Sequence, residues 1–234
     1  MRRSCWRSIL RVLLPASLLL LACLPAPALW RSLRSESFLL FYPAGREREA
    51  LRALGELEAC RPSALSLAGR TRAPRLPVVL VDAGTQSNGY ADPAYRRLHL
   101  YLYPPSGDDL GFAPSWWALV GMHEYVHWLH LTAASGLPGA LSWAFGDAWG
   151  PGLFGPAWLA EGLAVFAESA AGPYQGRLNS GYFDAYLQAR LRAGRPPSLA
   201  EALFVPPSFP SGEAPYLYGG QFVEYLAGTY GTPQ

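Results

Sequence analysis

Two short stretches of the chain carry residue types that could do chemistry together. Residues 123 to 127 read His-Glu-Tyr-Val-His, the H-E-x-x-H pattern of a zinc hydrolase helix. Positions four apart lie on one face of a helix, so His123 and His127 can both aim at a single ion. Glu124 lies about 100° further round the helix, where it could reach a water on that ion and act as general base. The pattern predicts two metal ligands and one proton acceptor.

The third ligand is expected in residues 158 to 164, which read Trp-Leu-Ala-Glu-Gly-Leu-Ala and look like a following helix. With Glu161, two imidazoles and one carboxylate would hold Zn²⁺ and leave its fourth position open for water, the arrangement of a catalytic site. Glu168 and Asp147 are rival carboxylates. Glu168 lies two turns after Glu161 and could instead orient a ligand histidine by hydrogen bonding.

Histidine is scarce, with four in the chain, which makes a chance match to the motif rare. His130 falls near the face of the motif and could reach the ion only if the helix were distorted, so we interpret it as a supporting or core histidine. His99 lies in an alternating, strand-like run and is interpreted as structural. Pro114 and Ser115 can begin the motif helix, and Gly136 can end it.

The surrounding pattern predicts an α+β domain: a small mixed or antiparallel sheet packed on the H-E-x-x-H helix and the Glu161 helix. Apolar runs and alternation indicate strands at residues 37–42, 77–81 and 97–103. Helical spacing indicates helices at residues 46–60, 116–134 and 217–230.

A Gly/Pro/Trp-rich stretch, residues 136–156, joins the two predicted ligand helices. It contains several large aromatic residues: Trp143, Phe145, Trp149 and Phe154. Loops of this length in a compact domain are usually functional or carry short structure of their own. The stretch could form a cleft wall, a lid or a surface at the membrane interface, or its aromatics could simply pack in the core.

The N-terminus predicts export. Four arginines in the first eleven residues precede an apolar core at residues 12–24, and Ala26-Pro27-Ala28 resembles a cleavage site. Residues 20–23 also resemble a lipobox in which Cys23 would be lipidated, and residues 12–30 are close to the length of an uncleaved anchor. We therefore expect a leader or anchor at residues 1–29, with the protein in the periplasm or cell envelope, membrane-anchored there, or outside the cell.

Composition excludes several classes of function. The net charge is +2 and four arginines lie in the leader, so the rest of the chain is near neutral or slightly acidic. No basic stripe outside the leader supports nucleic-acid binding. Two of the three cysteines also lie in the leader, which leaves no disulfide framework. Cys60 is interpreted as a small buried hydrophobe. Half of the residues are hydrophobic, enough for one domain at residues 30–234.

The chain resembles the gluzincin-type peptidase MA-like family of bacterial envelope metallopeptidases. The resemblance covers roughly residues 36–231 and is carried by these segments: H-E-x-x-H at 123–127, Pro-Ala-Trp-Leu-Ala-Glu-Gly-Leu-Ala at 156–164 and its continuation to Ser169, Gly-Arg-Leu at 176–178, Tyr-Leu-Tyr-Gly-Gly-Gln-Phe at 216–222, Val-Asp at 81–82 and Asn-Gly at 88–89. It implies a zincin-like fold, with His123, His127 and Glu161 as zinc ligands and Glu124 as catalytic base.

The same resemblance carries three further expectations. Tyr218, or else Tyr216, is placed like the residue that steadies the oxyanion in gluzincins. Residues 98–103 are the candidate for an edge strand that pairs with extended substrate, unless they form an ordinary strand within the sheet. Relatives often continue with more helices, so a chain that stops at Gln234 could be a fragment or a minimal version.

The predicted function is zinc-dependent hydrolysis of peptide bonds in a peptide or protein substrate, with Glu124 activating water. The alternative is a catalytically silent, zinc-bound scaffold that acts through protein contacts in the cell envelope. The presence of Glu124 argues against the scaffold, because a binding protein has no chemical need for a base beside its metal. Hydrolysis of a non-peptide amide is a third option, since zinc chemistry does not distinguish amide types. The oligomeric state does not follow from the sequence.

Overall fold

A computed structural model describes residues 29–105, 115–134, 136–145 and 155–232, and over these the chain forms five strands and seven α-helices. In chain order they are β1 (Trp30–Arg34), β2 (Phe38–Pro43), α1 (Glu47–Leu67), β3 (Leu76–Val81), β4 (Gly89–Asp92), β5 (Arg97–Tyr101), α2 (Trp116–Leu131), α3 (Gly136–Phe145), α4 (Ala157–Ala170), α5 (Tyr182–Arg192), α6 (Leu199–Leu203) and α7 (Ala214–Tyr230). This is the α+β class that the sequence predicts.

The five strands form one mixed sheet in the order β1-β2-β3-β5-β4. The central strands β2, β3 and β5 run parallel, while β1 and β4 pair antiparallel at the two ends. Side chains alternate along each central strand, and the inward set is fully buried: Phe38, Leu40, Leu76, Val78, Leu80, Leu98 and Leu100. This face packs against α1 and α2, and the hydrophobic core lies between them.

The motif helix α2 begins where the sequence predicts. Ser115 is its N-cap, and its side chain accepts a hydrogen bond from the Ala118 amide at 3.4 Å. Nearly every residue from Trp117 to Leu129 is buried, as expected of a helix that is apolar all round. The helix ends at Leu131, earlier than predicted, and Gly136 begins α3 instead of ending α2.

The first helix is longer than predicted. It continues from Cys60 through Pro62 to Leu67. Proline has no backbone N–H, so one hydrogen bond of the helix is missing at Pro62. Ala64 and Leu65 beyond it are buried in the core, and this burial favours continuation of the helix. Cys60 is buried as predicted, and burial raises the pKa of its thiol to about 12, so the thiol stays protonated and weakly nucleophilic at neutral pH.

Residues 98–103 do not form the free edge of the sheet. Residues 98–101 belong to β5, which pairs with β3 on one side and β4 on the other, so the alternative of an ordinary strand within the sheet is confirmed. The strand at that end of the sheet is β4, which the sequence analysis did not identify. It has four residues, too few to show alternation, and two of them are Gly89 and Asp92, types that are depleted in strands.

Helices α4 and α7 meet through glycines. A Cβ on Gly162 would lie 2.5 Å from the backbone of Gly219, and a Cβ on Gly219 would overlap the carbonyl oxygen of Trp158. The two backbones are therefore in direct contact. Around this contact α4, α5 and α7 form a second core cluster, centred on Val165, Phe183 and Leu217. The arrangement fixes α7 relative to α4.

We expect Gly219→Ala to lower the free energy of unfolding by about 1–3 kcal/mol, the usual cost of overpacking, because the clash is with backbone and no rotamer relieves it. Gly228→Ala is the matched control. It lies on an exposed turn of the same helix with nothing within 4 Å of the added Cβ, and should stabilise the protein by about 0.4–1 kcal/mol. Denaturant titration of both variants checks this, and equal effects would contradict the backbone contact.

Several predictions fall outside the described residues. They include residues 1–28 of the predicted leader with Cys23, and Asp147, Trp149 and Phe154 of the aromatic stretch. Within the described ranges, no helix is both long enough and apolar enough to cross a bilayer.

Candidate metal centre

Three side chains from two helices bring their donor atoms together. His123 and His127 come from α2 and Glu161 from α4. The Nε2 atoms of the two histidines are 3.1 Å apart, and Glu161 Oε2 lies 3.1 Å from His127 Nε2 and 3.3 Å from His123 Nε2. Both histidines are buried, and Glu161 is partly exposed. These are the three ligands that the sequence predicts, and they could bind a metal ion.

The spacing suits a small divalent ion. Ligand bonds of about 2.0–2.2 Å at tetrahedral angles place neighbouring donor atoms roughly 3.3–3.5 Å apart. Two of the observed separations, at 3.1 Å, lie just below this range, and the third, at 3.3 Å, lies at its lower limit. Two imidazole nitrogens and one carboxylate oxygen are also a donor set that such ions take. The residues present therefore fit a metal.

Electrostatics around the donor atoms favours a positive charge among them. Burial opposes protonation of His123, but hydrogen bonds to Glu161 and Glu168 outweigh it and raise the pKa of His123 to about 9. Burial would raise the pKa of Glu161, but the hydrogen bonds to His123 and His127 outweigh it and lower that pKa. A metal ion would take the place of the proton, because a ligand histidine must be neutral.

Glu168 supports the site from behind. It is fully buried, and its Oε2 accepts from His123 Nδ1 at 2.9 Å. An ionised carboxylate only accepts hydrogen bonds, so the proton is assigned to Nδ1 and Nε2 is left as the ligand atom. The other carboxylate oxygen, Glu168 Oε1, accepts from the backbone amide of Arg177 at 3.1 Å. The interpretation that Glu168 orients a ligand histidine matches this geometry.

We expect Glu168→Gln to weaken metal affinity about 10–100-fold, the usual effect of losing the partner of a ligand histidine. The amide has a single acceptor oxygen, whereas Glu168 accepts on both of its oxygens, from His123 and from Arg177. Competition with a chelator measures the affinity. Glu224→Gln, an exposed site on α7, is the control. Parent-like affinity in Glu168→Gln would mean that the contact does not support the ligand.

Glu124 lies in the same cavity but outside the ligand set. It is buried, and burial raises the pKa of its carboxyl group. Strand β4 passes directly over it: a Cβ on Gly89 would overlap the Val120 side chain and lie 2.9 Å from Glu124 Cγ. Ala91 of the same strand also lines this cavity. Glycine at position 89 therefore lets the strand approach the helix beside Glu124.

The structure distinguishes the two tyrosine candidates. Tyr216 lines the cavity, and its ring stacks on His123 with centroids 6.0 Å apart. Burial raises the pKa of Tyr216, and Glu161 raises it further. Tyr218, which the sequence analysis placed first, is buried in the second core cluster and accepts from Arg190 at 3.2 Å.

The cavity over the three donor atoms measures about 460 Å³. Residues 87–91, Trp116, Glu161, Arg177 and Tyr216 are among those that line it. The sequence analysis gave no role to Arg177 or Gly89. The Asn-Gly pair at 88–89 and the glycine before Arg177 are signals of tight backbone geometry that could have pointed to them.

The remaining histidines lie away from the donor atoms. His99 stacks on Tyr90 with ring centroids 4.3 Å apart. His130 lines a separate, mainly apolar cavity, and its pKa is lowered by burial and by His127. Neither belongs to the group of donor atoms, in agreement with the sequence interpretation.

Comparisons with models of protein families and with curated proteins give no match. The case for function therefore depends on the chemistry of this cavity.

Proposed function

We propose that this protein is a zinc metallopeptidase of the zincin-like fold, exported to the cell envelope, that hydrolyses peptide bonds with Glu124 as general base. The observation that carries the proposal is the shared cavity: three donor atoms 3.1 to 3.3 Å apart face the space that also holds a buried carboxylate outside the ligand set. A binding-only metal site needs the first feature and has no need of the second.

The donor set supports zinc. Two imidazole nitrogens and one carboxylate are the protein ligands of a catalytic zinc ion with an open position. When bound, Zn²⁺ polarises a carbonyl and makes water a nucleophile near neutral pH.

Glu124 is placed to move the proton. It follows ligand His123 directly on α2, so its side chain diverges from the ligand direction by about 100°. Its raised pKa brings it closer to neutral pH, where a general base works best. In the proposed reaction its carboxylate accepts a proton from the attacking water and then passes that proton to the leaving amine.

Tyr216 supplies a hydroxyl on the other side of the cavity. Its raised pKa keeps the phenol protonated at neutral pH, so it can donate a hydrogen bond. We propose that it donates to the oxygen that gains negative charge during attack on the peptide carbonyl.

Strand β4 is the proposed seat of extended substrate. It is the last strand in the order of the described sheet, so its outer edge is not paired by another of those strands. It also borders the cavity through Gly89, Tyr90 and Ala91. An added peptide strand would gain backbone hydrogen bonds along this edge and pass beside Glu124.

The test combines metal content and peptide cleavage in the full-length chain purified in detergent. We expect about one zinc per chain, cleavage of a mixed peptide library, and loss of cleavage on chelation that zinc restores. Mass spectrometry of the products identifies the cleaved bonds. A folded, zinc-supplemented protein that binds no zinc would remove the basis of the proposal. Zinc binding without cleavage of any peptide would favour the scaffold.

A further inference from the structure

Arg177 lies at a junction behind the metal centre. It follows the loop after α4 and begins a short 3₁₀ helix, Arg177–Ser180. Four residues form a closed cycle of contacts here: His123 to Glu168, Glu168 to Arg177, Arg177 to Tyr216, and Tyr216 back to His123. We call this set the ligand-support ring. Its members come from α2, α4, the 3₁₀ helix and α7.

One half of the ring runs through Glu168. The Arg177 amide donates to Glu168 Oε1 at 3.1 Å, and Arg177 Nε lies 3.7 Å from the same oxygen. The other carboxylate oxygen holds His123 Nδ1. Since Glu168 is completely buried, its negative charge depends on these partners. Arg177 therefore helps to hold the carboxylate that orients His123.

The other half runs through Tyr216. The guanidinium carbon of Arg177 lies 4.9 Å from the centre of the Tyr216 ring. The same ring stacks on His123 with centroids 6.0 Å apart. A cation over a desolvated aromatic ring is attracted to its face, so Arg177 restrains the tyrosine that packs on this ligand.

Gly176 makes this placement possible. Its φ is +84°, and a Cβ there would overlap Ser169 and lie 2.5 Å from the Ser169 amide nitrogen. The backbone before Arg177 is thus pressed against α4, and the Leu178 amide donates to Ser169 Oγ at 3.2 Å. The Arg177 backbone is anchored by these contacts, which leaves its side chain to face Tyr216 and Glu168.

The guanidinium is held by its position more than by its own hydrogen bonds. Its Nη1 is buried and has no hydrogen-bond acceptor among the described residues. A buried donor without an acceptor is costly, so the gain from this position must come from other contacts. Here they are the guanidinium over the Tyr216 ring and the charge beside Glu168, and a lysine does not reproduce the planar group that makes the first of them.

We infer that Arg177 is a positioning residue of the metal centre, which sets the orientation of His123 from two sides, through Glu168 and through Tyr216. The inference rests on the metal-binding part of the proposed function and not on peptide hydrolysis.

The test measures zinc affinity, by competition with a chelator, and the visible absorption spectrum of the Co²⁺-loaded full-length chain. We expect Arg177→Met to bind zinc about 10–100-fold more weakly and to change the Co²⁺ spectrum, because His123 loses support on two sides. Arg177→Lys should recover part of the affinity, since it restores the charge beside Glu168 but not the guanidinium over the Tyr216 ring.

Arg97 provides the matched control. Its Nε lies 3.3 Å from Asp92, its guanidinium carbon lies 4.9 Å from the Tyr95 ring, and it does not line the cavity. Arg97→Met should keep the affinity and the Co²⁺ spectrum of the parent. A parent-like affinity and spectrum in Arg177→Met would overturn the inference, as would an equal loss in Arg97→Met. If Arg177→Met does not fold, Arg177→Lys decides by the same two measurements.

The outcomes also separate this inference from the proposed function. A parent that binds zinc and cleaves no peptide leaves the role of Arg177 intact while the peptidase proposal fails. If the parent cleaves peptides but the Arg177 variants keep its zinc affinity and Co²⁺ spectrum, the peptidase proposal stands and the role of Arg177 fails. A folded parent that binds no zinc overturns both.

Discussion

Glu124→Gln is expected to lower the rate of peptide hydrolysis by about 10²–10⁴-fold, the range that a positioned general base contributes. The amide has nearly the shape of the carboxylate but cannot accept the proton from water. Zinc content should stay at the parent value, because the three ligand atoms belong to His123, His127 and Glu161. The loss should therefore appear in kcat, with metal affinity preserved.

Glu224→Gln is the control for this variant, since it makes the same chemical change at an exposed site on α7. Its rate should equal that of the parent. Initial rates on a peptide found in the library screen, with zinc content measured on the same samples, decide the matter. A Glu124→Gln protein that keeps zinc and full activity would exclude Glu124 as the base.

Glu161→Ala should have the second large effect, on the metal itself. The loss of affinity should exceed the roughly 10–100-fold expected for Glu168→Gln, because a ligand is removed and not only the partner of one. Zinc content of the purified variant should fall well below one per chain. The two histidines would remain, yet they supply only two of the three protein ligands that a catalytic zinc site uses.

Stability gives an independent measure of this loss. Zinc at 100 times its dissociation constant should raise the free energy of unfolding of the parent by about 2.7 kcal/mol, whereas Glu161→Ala at the same concentration should gain little. Glu224→Ala, again on the exposed side of α7, should respond like the parent. If Glu161→Ala keeps a full zinc content and the parent response, another group completes the ligand set.

The local parts of the site follow from the sequence. Helical spacing alone puts His123 and His127 on one face, and Ser115 marks the start of their helix. The meeting of Glu161 with these histidines depends on how α4 packs on α2, over 34 residues of separation. No periodicity encodes that contact; Glu161 was expected there from the donor set that zinc prefers and from the resemblance to a family.

The choice between the two tyrosines shows what the sequence lacks. Tyr216 and Tyr218 are two positions apart on α7, so their side chains point in nearly opposite directions, about 160° apart. Which of them faces the ligands depends on which side of α7 meets α4. Gly219 marks that side, and Tyr216 lies three residues before it on nearly the same face. Gly219 was therefore a usable sequence signal for the orientation of α7.

Errors in the elements have equally local causes. The predicted helix stopped at residue 60, just before Pro62, because helix propensity reflects only local sequence. Burial of Leu65, which favours continuation, is decided by the rest of the fold. Strand β4 has four residues and a glycine at its start, which leaves no pattern to read. The glycine that hides the strand from pattern analysis is the residue that lets it lie against Glu124.

The glycine contact between α4 and α7 bears on how the site would tolerate change elsewhere. One of these helices carries Glu161 and the other Tyr216, and their separation is set where main chain touches main chain. Main-chain atoms have no alternative rotamers, so the distance between α4 and α7 cannot adjust at this contact. Substitutions in the apolar cluster around Phe183 can rearrange side chains and lower stability while the distance from ligand to phenol persists. In this protein, stability thus depends on the side chains of the apolar cluster, whereas the geometry of the site depends on the main-chain contact, and the two can change independently.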